Sequence, residues 1–325
     1  MRIEQNISMF INFYYIFFTI LAIPVNLLLI YLILFKSPTS FQSYRFLLLN
    51  TAVNETFLIV FSFFLQIRII SAGDSIALLS YGPSRLFSVE FNFIIYNIYN
   101  VFLCTTNLSL IISMHYRYCV ICYGRIENTT ILRNLSITTA IPLAMLIAIL
   151  IPPFNFSTVV KNTEKAYPSY NLSNVYGNYG GFYSTTTIIY SINTGILMGI
   201  PYLMPIFILY CRRKIFKQIN EVQTHLSDRT KKASLDLVRA LTMQSLFPMI
   251  CLIPNVVYFL VSQKQHMEIE IAEYLPFPTC CLPCLIDPLL TIKYVAPYRN
   301  FITRKDKRIV KIPTISVAPS SIRTF

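Results

Sequence analysis

The residues with the most unusual placement are charges and amides stranded in apolar sequence. From Phe91 through Tyr116 there is no Lys, Arg, Asp or Glu, and the run then ends in Arg117-Tyr118. Glu55 interrupts the apolar run Phe46 to Ile67, with Asn54 beside it. Asp287-Pro288 lies within Tyr274 to Val295, and Asn26 within Ser8 to Phe35. A charge in hydrocarbon costs roughly 2.5–3.5 kcal/mol on insertion scales, so Glu55 and Asp287 must face a protein interior. Such acids can serve as a switch, as an ion site with Asn26 and Asn54, or as plain interhelical hydrogen-bonding groups. Arg117, flanked by Tyr116 and Tyr118, reads either as a functional switch or as a basic anchor at a helix end.

Enzyme chemistry finds no footing. There is no Gly-rich phosphate loop and no His-Glu-x-x-His. The three histidines, His115, His225 and His266, are too far apart in sequence to form a metal-ligand motif. Cys119/Cys122 and Cys281/Cys284 have the Cys-x-x-Cys spacing but sit in or beside apolar runs, where cysteine serves as a small apolar residue. Neither a cofactor nor a metal is expected. Binding chemistry is better supported. Tyr96, Asn97, Asn193, Asn255 and Tyr258, with Asn92, Tyr99, Tyr190 and Tyr274, put hydrogen-bonding tips at one depth of several runs. Ligand pockets combine an apolar lining with a few placed polar groups. Interfacial tyrosines and interhelical amides would give the same pattern.

The elements that must position these residues are membrane helices. Of the 325 residues, 55% are hydrophobic and 13% charged, and the mean hydropathy is +0.57. About 20 apolar residues cross a hydrocarbon core. Runs of that order occur at about 8–35, 46–67, 91–114, 135–154, 186–211, 240–262 and 274–295. The reading is one all-α membrane domain, 1–297, a seven-transmembrane bundle. Loops are expected at 68–90 and 161–183, and a basic tail at 298–325 carries a short amphipathic segment. The third run, rich in Asn, Thr and Ser, belongs at the bundle centre, where neighbours can bond its side chains.

Lys and Arg are distributed unequally over the two sides. Six lie on the side of the N-terminus and twenty-one on the other, out of 27. Positive residues stay in the cytoplasm, so the N-terminus is placed outside and the C-terminus inside. The net charge of +13 then faces anionic inner-leaflet lipid and cytoplasmic partners, not nucleic acid. The basic connector 212–239, ending in Arg239, is a candidate helical extension of the fifth and sixth runs. On this topology Asn171 and Asn6 are the sequons available for glycosylation.

This layout resembles that of G-protein-coupled receptors, with Arg117 in the place of the arginine of their Asp-Arg-Tyr motif. Tyr116 replaces the acid, Asp287-Pro288 resembles Asn-Pro-x-x-Tyr without the tyrosine, and the chain contains no Trp. Three segments resemble the nematode serpentine chemoreceptors, the first of them most like class delta. They are Gln66-Ile67-Arg68-Ile69-Ile70 with Gly73-Asp74 and Tyr81-Gly82-Pro83; Arg239-Ala240-Leu241 with Phe247-Pro248; and Asp287-Pro288 with Tyr298-Arg299. The resemblance implies a chemosensory receptor, for instance in olfaction, placed as a multi-pass protein in the cell membrane of a sensory cilium. It implies a small-molecule ligand in the outer half and a heterotrimeric G protein at Arg117, Tyr116, Tyr118 and Arg239. A seven-span ion channel or transporter is the alternative.

Overall fold

The computed structural model describes residues 2–37, 42–124, 128–170, 172, 176, 179–221, 228–265 and 270–303. The Asn171 sequon and the tail beyond 303 lie outside the described residues. The helices are α1 (Arg2–Lys36), α2 (Gln42–Leu65), α3 (Val89–Tyr123), α4 (Asn128–Leu150), α5 (Phe156–Ala166), α6 (Ile188–Glu221), α7 (Asp228–Gln265), α8 (Glu270–Tyr274), α9 (Pro276–Cys281), α10 (Pro283–Tyr294) and α11 (Ala296–Ile302). Three strands, β1 (Ile67–Ala72), β2 (Ser75–Ser80) and β3 (Gly180–Phe182), form one small sheet.

Among the described residues, seven helical stretches are long and apolar enough to cross a membrane, the last assembled from α8, α9 and α10. In hydrocarbon every backbone polar group must be satisfied within the protein, which is why the apolar runs become helices. Several helices outrun the apolar segments that announced them. At about 1.5 Å per residue, the 35 residues of α3 reach well beyond a ~30 Å core. The loop expected after Arg117 therefore shrinks, since α3 continues to Tyr123 and α4 begins at Asn128. Most of the basic connector is likewise helical, in α6 to Glu221 and α7 from Asp228.

The central helix is α3, packed against α2, α4, α6 and α7. Its buried face carries Asn97, Thr105, Thr106, Asn107, Ser109 and Ser113. Thr105 and Thr106 return their hydroxyls to the Val101 and Phe102 carbonyls, at 2.8 and 2.9 Å. Asn50 of α2 donates to Ser109 Oγ at 2.7 Å. The outer surface of the bundle is apolar, with Phe10, Phe13, Phe17, Ile188, Leu203 and Ile206 exposed.

Prolines break the seventh span into pieces, and their freed carbonyls find other donors. Pro288 has no N–H for the Cys284 carbonyl one turn back. Asn26 Nδ2 of α1 supplies that bond at 2.8 Å, and also donates to Ala22 at 3.0 Å. Just before Pro283 the Leu282 N–H turns to the Thr279 carbonyl, and the Pro278 carbonyl it leaves accepts from Tyr14 Oη at 3.3 Å. Replacing Asn26 by Leu strands the Cys284 carbonyl in a site where Asn26 is fully buried. The expected loss is about 1–3 kcal/mol of stability, read from thermal melts of the purified protein. An unchanged melt would mean that this carbonyl has another donor.

At one end, the stretch expected as a loop is a β-hairpin. Helix α2 stops at Gln66, whose φ of 43° turns the chain out of the helix and into β1. Strands β1 and β2 pair from Ala72↔Ser75 to Ile67↔Ser80, leaving Gly73-Asp74 as a two-residue turn. Gly73 has φ +59°, as the first position of a type II′ turn requires. Strand β3, from the second expected loop, pairs its Gly181 with Ala77. Helix α5, capped by Asn155 Oδ1 on the Thr158 N–H at 3.3 Å, completes a cap over the bundle. The cap has its own apolar core of Ile70, Ala72, Ala77, Leu79, Val159, Tyr167, Leu172 and Tyr179.

Candidate ligand-binding site

The sheet roofs a cavity of about 670 Å³ inside the bundle. Ile69, Ile76 and Phe182 line it from β1, β2 and β3. Tyr96, Asn97 and Tyr99 line it from α3, Met145 and Ile149 from α4, Tyr190 and Asn193 from α6, Asn255 and Tyr258 from α7, and Phe277 and Cys280 from α9. All five residues singled out for the pocket, Tyr96, Asn97, Asn193, Asn255 and Tyr258, are brought together here. Of the companions weighed with them, Tyr99 and Tyr190 join the lining, whereas Asn92 and Tyr274 are not part of it.

The polar tips divide by what already engages them. Asn97 Nδ2 donates to the Phe93 carbonyl of its own helix at 2.8 Å. Asn255 donates to Cys280 Sγ at 3.0 Å and accepts from Thr279 Oγ1 at 3.3 Å. Asn193 makes a long bond of 3.4 Å to the Met145 carbonyl. Tyr258 Oη is committed to the roof, donating to the Ile69 carbonyl of β1 at 3.0 Å.

What holds the roof down is a buried ion pair that the sequence did not announce. Arg68 of β1 points Nε and Nη2 at Glu273 Oε2, at 2.7 and 2.6 Å, and both side chains are at most 1% exposed. Arg68 Nη1 also donates to Tyr176 and Tyr274, at 3.2 and 3.3 Å, and Tyr170 Oη donates to Glu273 Oε1 at 3.2 Å. The rings of Tyr170 and Tyr274 lie 5.0 and 4.9 Å from the guanidinium carbon. Burial alone would favour a neutral arginine. The Glu273 carboxylate and the Tyr176 and Tyr274 hydroxyls outweigh it and hold the Arg68 pKa above the ordinary arginine value. Arg68, at the edge of the expected loop 68–90, and Glu273 are thus the tie between the roof and the start of the seventh span.

Beneath the main cavity lies a second one of about 20 Å³, lined by Glu55, Thr106, Asn107, Cys251, Cys284 and Asp287. Glu55 and Asp287 are each 1% exposed, and Asn54 is 8% exposed. The Glu55 and Asp287 carboxyl groups face each other within hydrogen-bonding reach, while Asn54 Nδ2 and Asn26 Oδ1 have no protein hydrogen-bond partner. The four intramembrane polar residues are therefore all interior. Gln244 fixes the backbone here, donating to the Asp287 carbonyl and to Thr291 Oγ1, both at 3.1 Å.

At the far end, the Arg117 guanidinium stacks on the Tyr44 ring of α2, 3.7 Å from its centroid, and Tyr44 stacks in turn on Tyr116 at 5.9 Å. With Tyr116 in the sequence place of the acid, Arg117 stacks on an aromatic partner. Tyr118 pairs with Tyr123 on its own helix at 3.4 Å. Arg239 is 53% exposed on α7 and pairs with Asp236 one turn earlier, at 3.3 Å. No group of His, Cys, Asp and Glu that could hold a metal ion occurs among the described residues.

A roofed cavity at one end of seven membrane-spanning helices and a basic aromatic cluster at the other define a bundle of the G-protein-coupled receptor type. The crystal structure of squid rhodopsin shares this fold, with a TM-score of 0.62 at 14% identity over 93% of this chain and 85% of that chain. The family described as serpentine type 7TM GPCR chemoreceptor Srd matches residues 11–304, and the chain belongs to it. Serpentine receptor class delta-59 of Caenorhabditis elegans is 31% identical over 310 residues, 94% of each chain. Serpentine receptor class delta-50 of the same organism is 28% identical over 311 residues, 91% of this chain and 90% of that one.

Proposed function

We propose that this protein is a chemosensory receptor that holds a small ligand in the sheet-roofed cavity and activates a heterotrimeric G protein at the Arg117 end. The observation that carries the reading is the 670 Å³ cavity under the sheet, a size typical of small-molecule sites, at the end of the bundle away from Arg117. A ligand there shifts the receptor's equilibrium only by binding one state more tightly than the other. The channel alternative needs an ion path past Glu55 and Asp287, where the cavity measures about 20 Å³.

The test is a ligand screen with a G-protein-dependent readout, repeated on Arg117→Ala. Surface expression of the variant should stay near wild type while activation falls about tenfold, within the ~1–3 kcal/mol range of coupling free energies. Full signalling by the variant would leave Arg117 as a helix-end anchor.

The orientation rests on the charge bias and has its own test. Asn171 stands in the second loop expected from the sequence, 161–183, so an N-terminus-out protein should carry a glycan there. The expected result is a glycan-dependent mobility shift lost, wholly or in part, in Asn171→Gln and kept in Asn128→Gln. A shift removed by Asn128→Gln would put the Arg117 end outside and exclude G-protein contact.

A further inference from the structure

We infer that the cavity selects uncharged ligands: mainly apolar molecules with one or two hydrogen-bonding oxygen or amide groups, to the exclusion of carboxylates and amines. The inference rests on the receptor reading above and adds the chemical class to it. Among the described residues, no Lys, Arg, Asp, Glu or His lines the cavity; its polar tips are amides, hydroxyls and one thiol. The buried charges above and below it are engaged elsewhere. Above the roof, Arg68 and Glu273 are spent on each other. Below, Glu55 and Asp287 belong to the smaller cavity, and Leu103, Leu252 and Cys280 line both cavities as the floor between them.

A charged ligand entering this space leaves its hydration shell and meets no counter-ion, a penalty that neutral dipoles repay only in part. A neutral carbonyl, hydroxyl or amide loses less water. It can bond the Asn97 amide, which spends one N–H on its own helix, or Asn193, whose bond to Met145 is long at 3.4 Å. Discrimination of this kind is set by what the site lacks as much as by what it offers.

The experiment uses the full chain, purified into phosphatidylcholine nanodiscs, with thermal unfolding as the readout. The probes are octanol, octanone, octanamide and acetophenone, set against octanoate, octylammonium and benzoate. Amphiphiles also perturb lipid, so only a shift that depends on the cavity counts. Gly195 lines the cavity and a Cβ placed there meets nothing within 4 Å, so Gly195→Leu adds bulk at the lining with no clash at its Cβ. Gly199, equally open but outside the lining, gives Gly199→Leu as the control.

A neutral probe at about ten times its dissociation constant should raise the melting temperature by roughly 2–4 °C. That shift should vanish in Gly195→Leu and persist in Gly199→Leu, with no cavity-dependent shift from the charged probes. A cavity-dependent shift from octanoate, benzoate or octylammonium, or none from any neutral probe, overturns the inference. A neutral probe that stabilises the protein yet triggers no nucleotide exchange on any G protein upholds the ligand class and removes the receptor reading.

Discussion

Arg68→Ala should cost the protein about 3–5 kcal/mol, far more than an exposed ion pair would, because it leaves Glu273 charged and uncompensated in the interior. Burial decides the magnitude. At 0% and 1% exposure neither partner can turn to water when the other is lost, whereas exposed pairs are worth about 0–1 kcal/mol. Glu273→Ala should be comparably damaging, since it strands the guanidinium. The double replacement Arg68→Met with Glu273→Leu should recover much of the loss, as removing both charges removes the penalty. Thermal melts of the four proteins, with surface expression alongside, make the cycle. Single variants within about 0.5 kcal/mol of wild type would mean that water reaches the pair and that the roof is held by its apolar core alone.

The second large effect is expected at Gly181. Its φ is +153°, and a Cβ there would lie 2.0 Å from the Ile76 carbonyl oxygen of the neighbouring strand. Backbone strain of this type costs about 1–3 kcal/mol before the steric clash is counted. Gly181→Ala should therefore detach β3 from β2, exposing the Ile76 to Leu78 register to amide exchange and opening one wall of the cavity at Phe182. Gly73 is the internal comparison. Its φ of +59° strains any L side chain but its surroundings are open, so Gly73→Ala should cost the backbone strain alone, about 1–3 kcal/mol, and leave β3 paired. Protection of β2 unchanged in Gly181→Ala would show that the strand can shift to admit a methyl group.

The seven helices were legible because hydrocarbon imposes a length and forbids charge, and both survive in a single sequence. The cavity residues were legible for a related reason. Tyr96, Asn97, Asn193, Asn255 and Tyr258 stand at similar depth in four-turn-plus apolar runs, so a bundle brings them together. Local patterning could not reveal pairings set by tertiary distance. Arg68 and Glu273 are 205 residues apart, each looking like an ordinary loop charge. Strand β3 is three residues long and finds its partner about a hundred positions earlier. The prolines of the seventh span were visible, but the donors that repair them, Asn26 and Tyr14, come from the first helix. Arg117 was conspicuous and its partner was not, since Tyr44 lies on another helix in unremarkable sequence.

All eight cysteines are free thiols, and the cap is secured to the bundle by the Arg68–Glu273 pair and its tyrosines. A tie made of protons and charges needs no oxidant to form and no isomerase to correct it. The roof should assemble in a reducing compartment as readily as in an oxidising one, and dithiothreitol should leave its melting behaviour unchanged. Such a tie can also open and reclose within a single chain lifetime without a chemical bond being broken, which a disulfide-stapled lid cannot do.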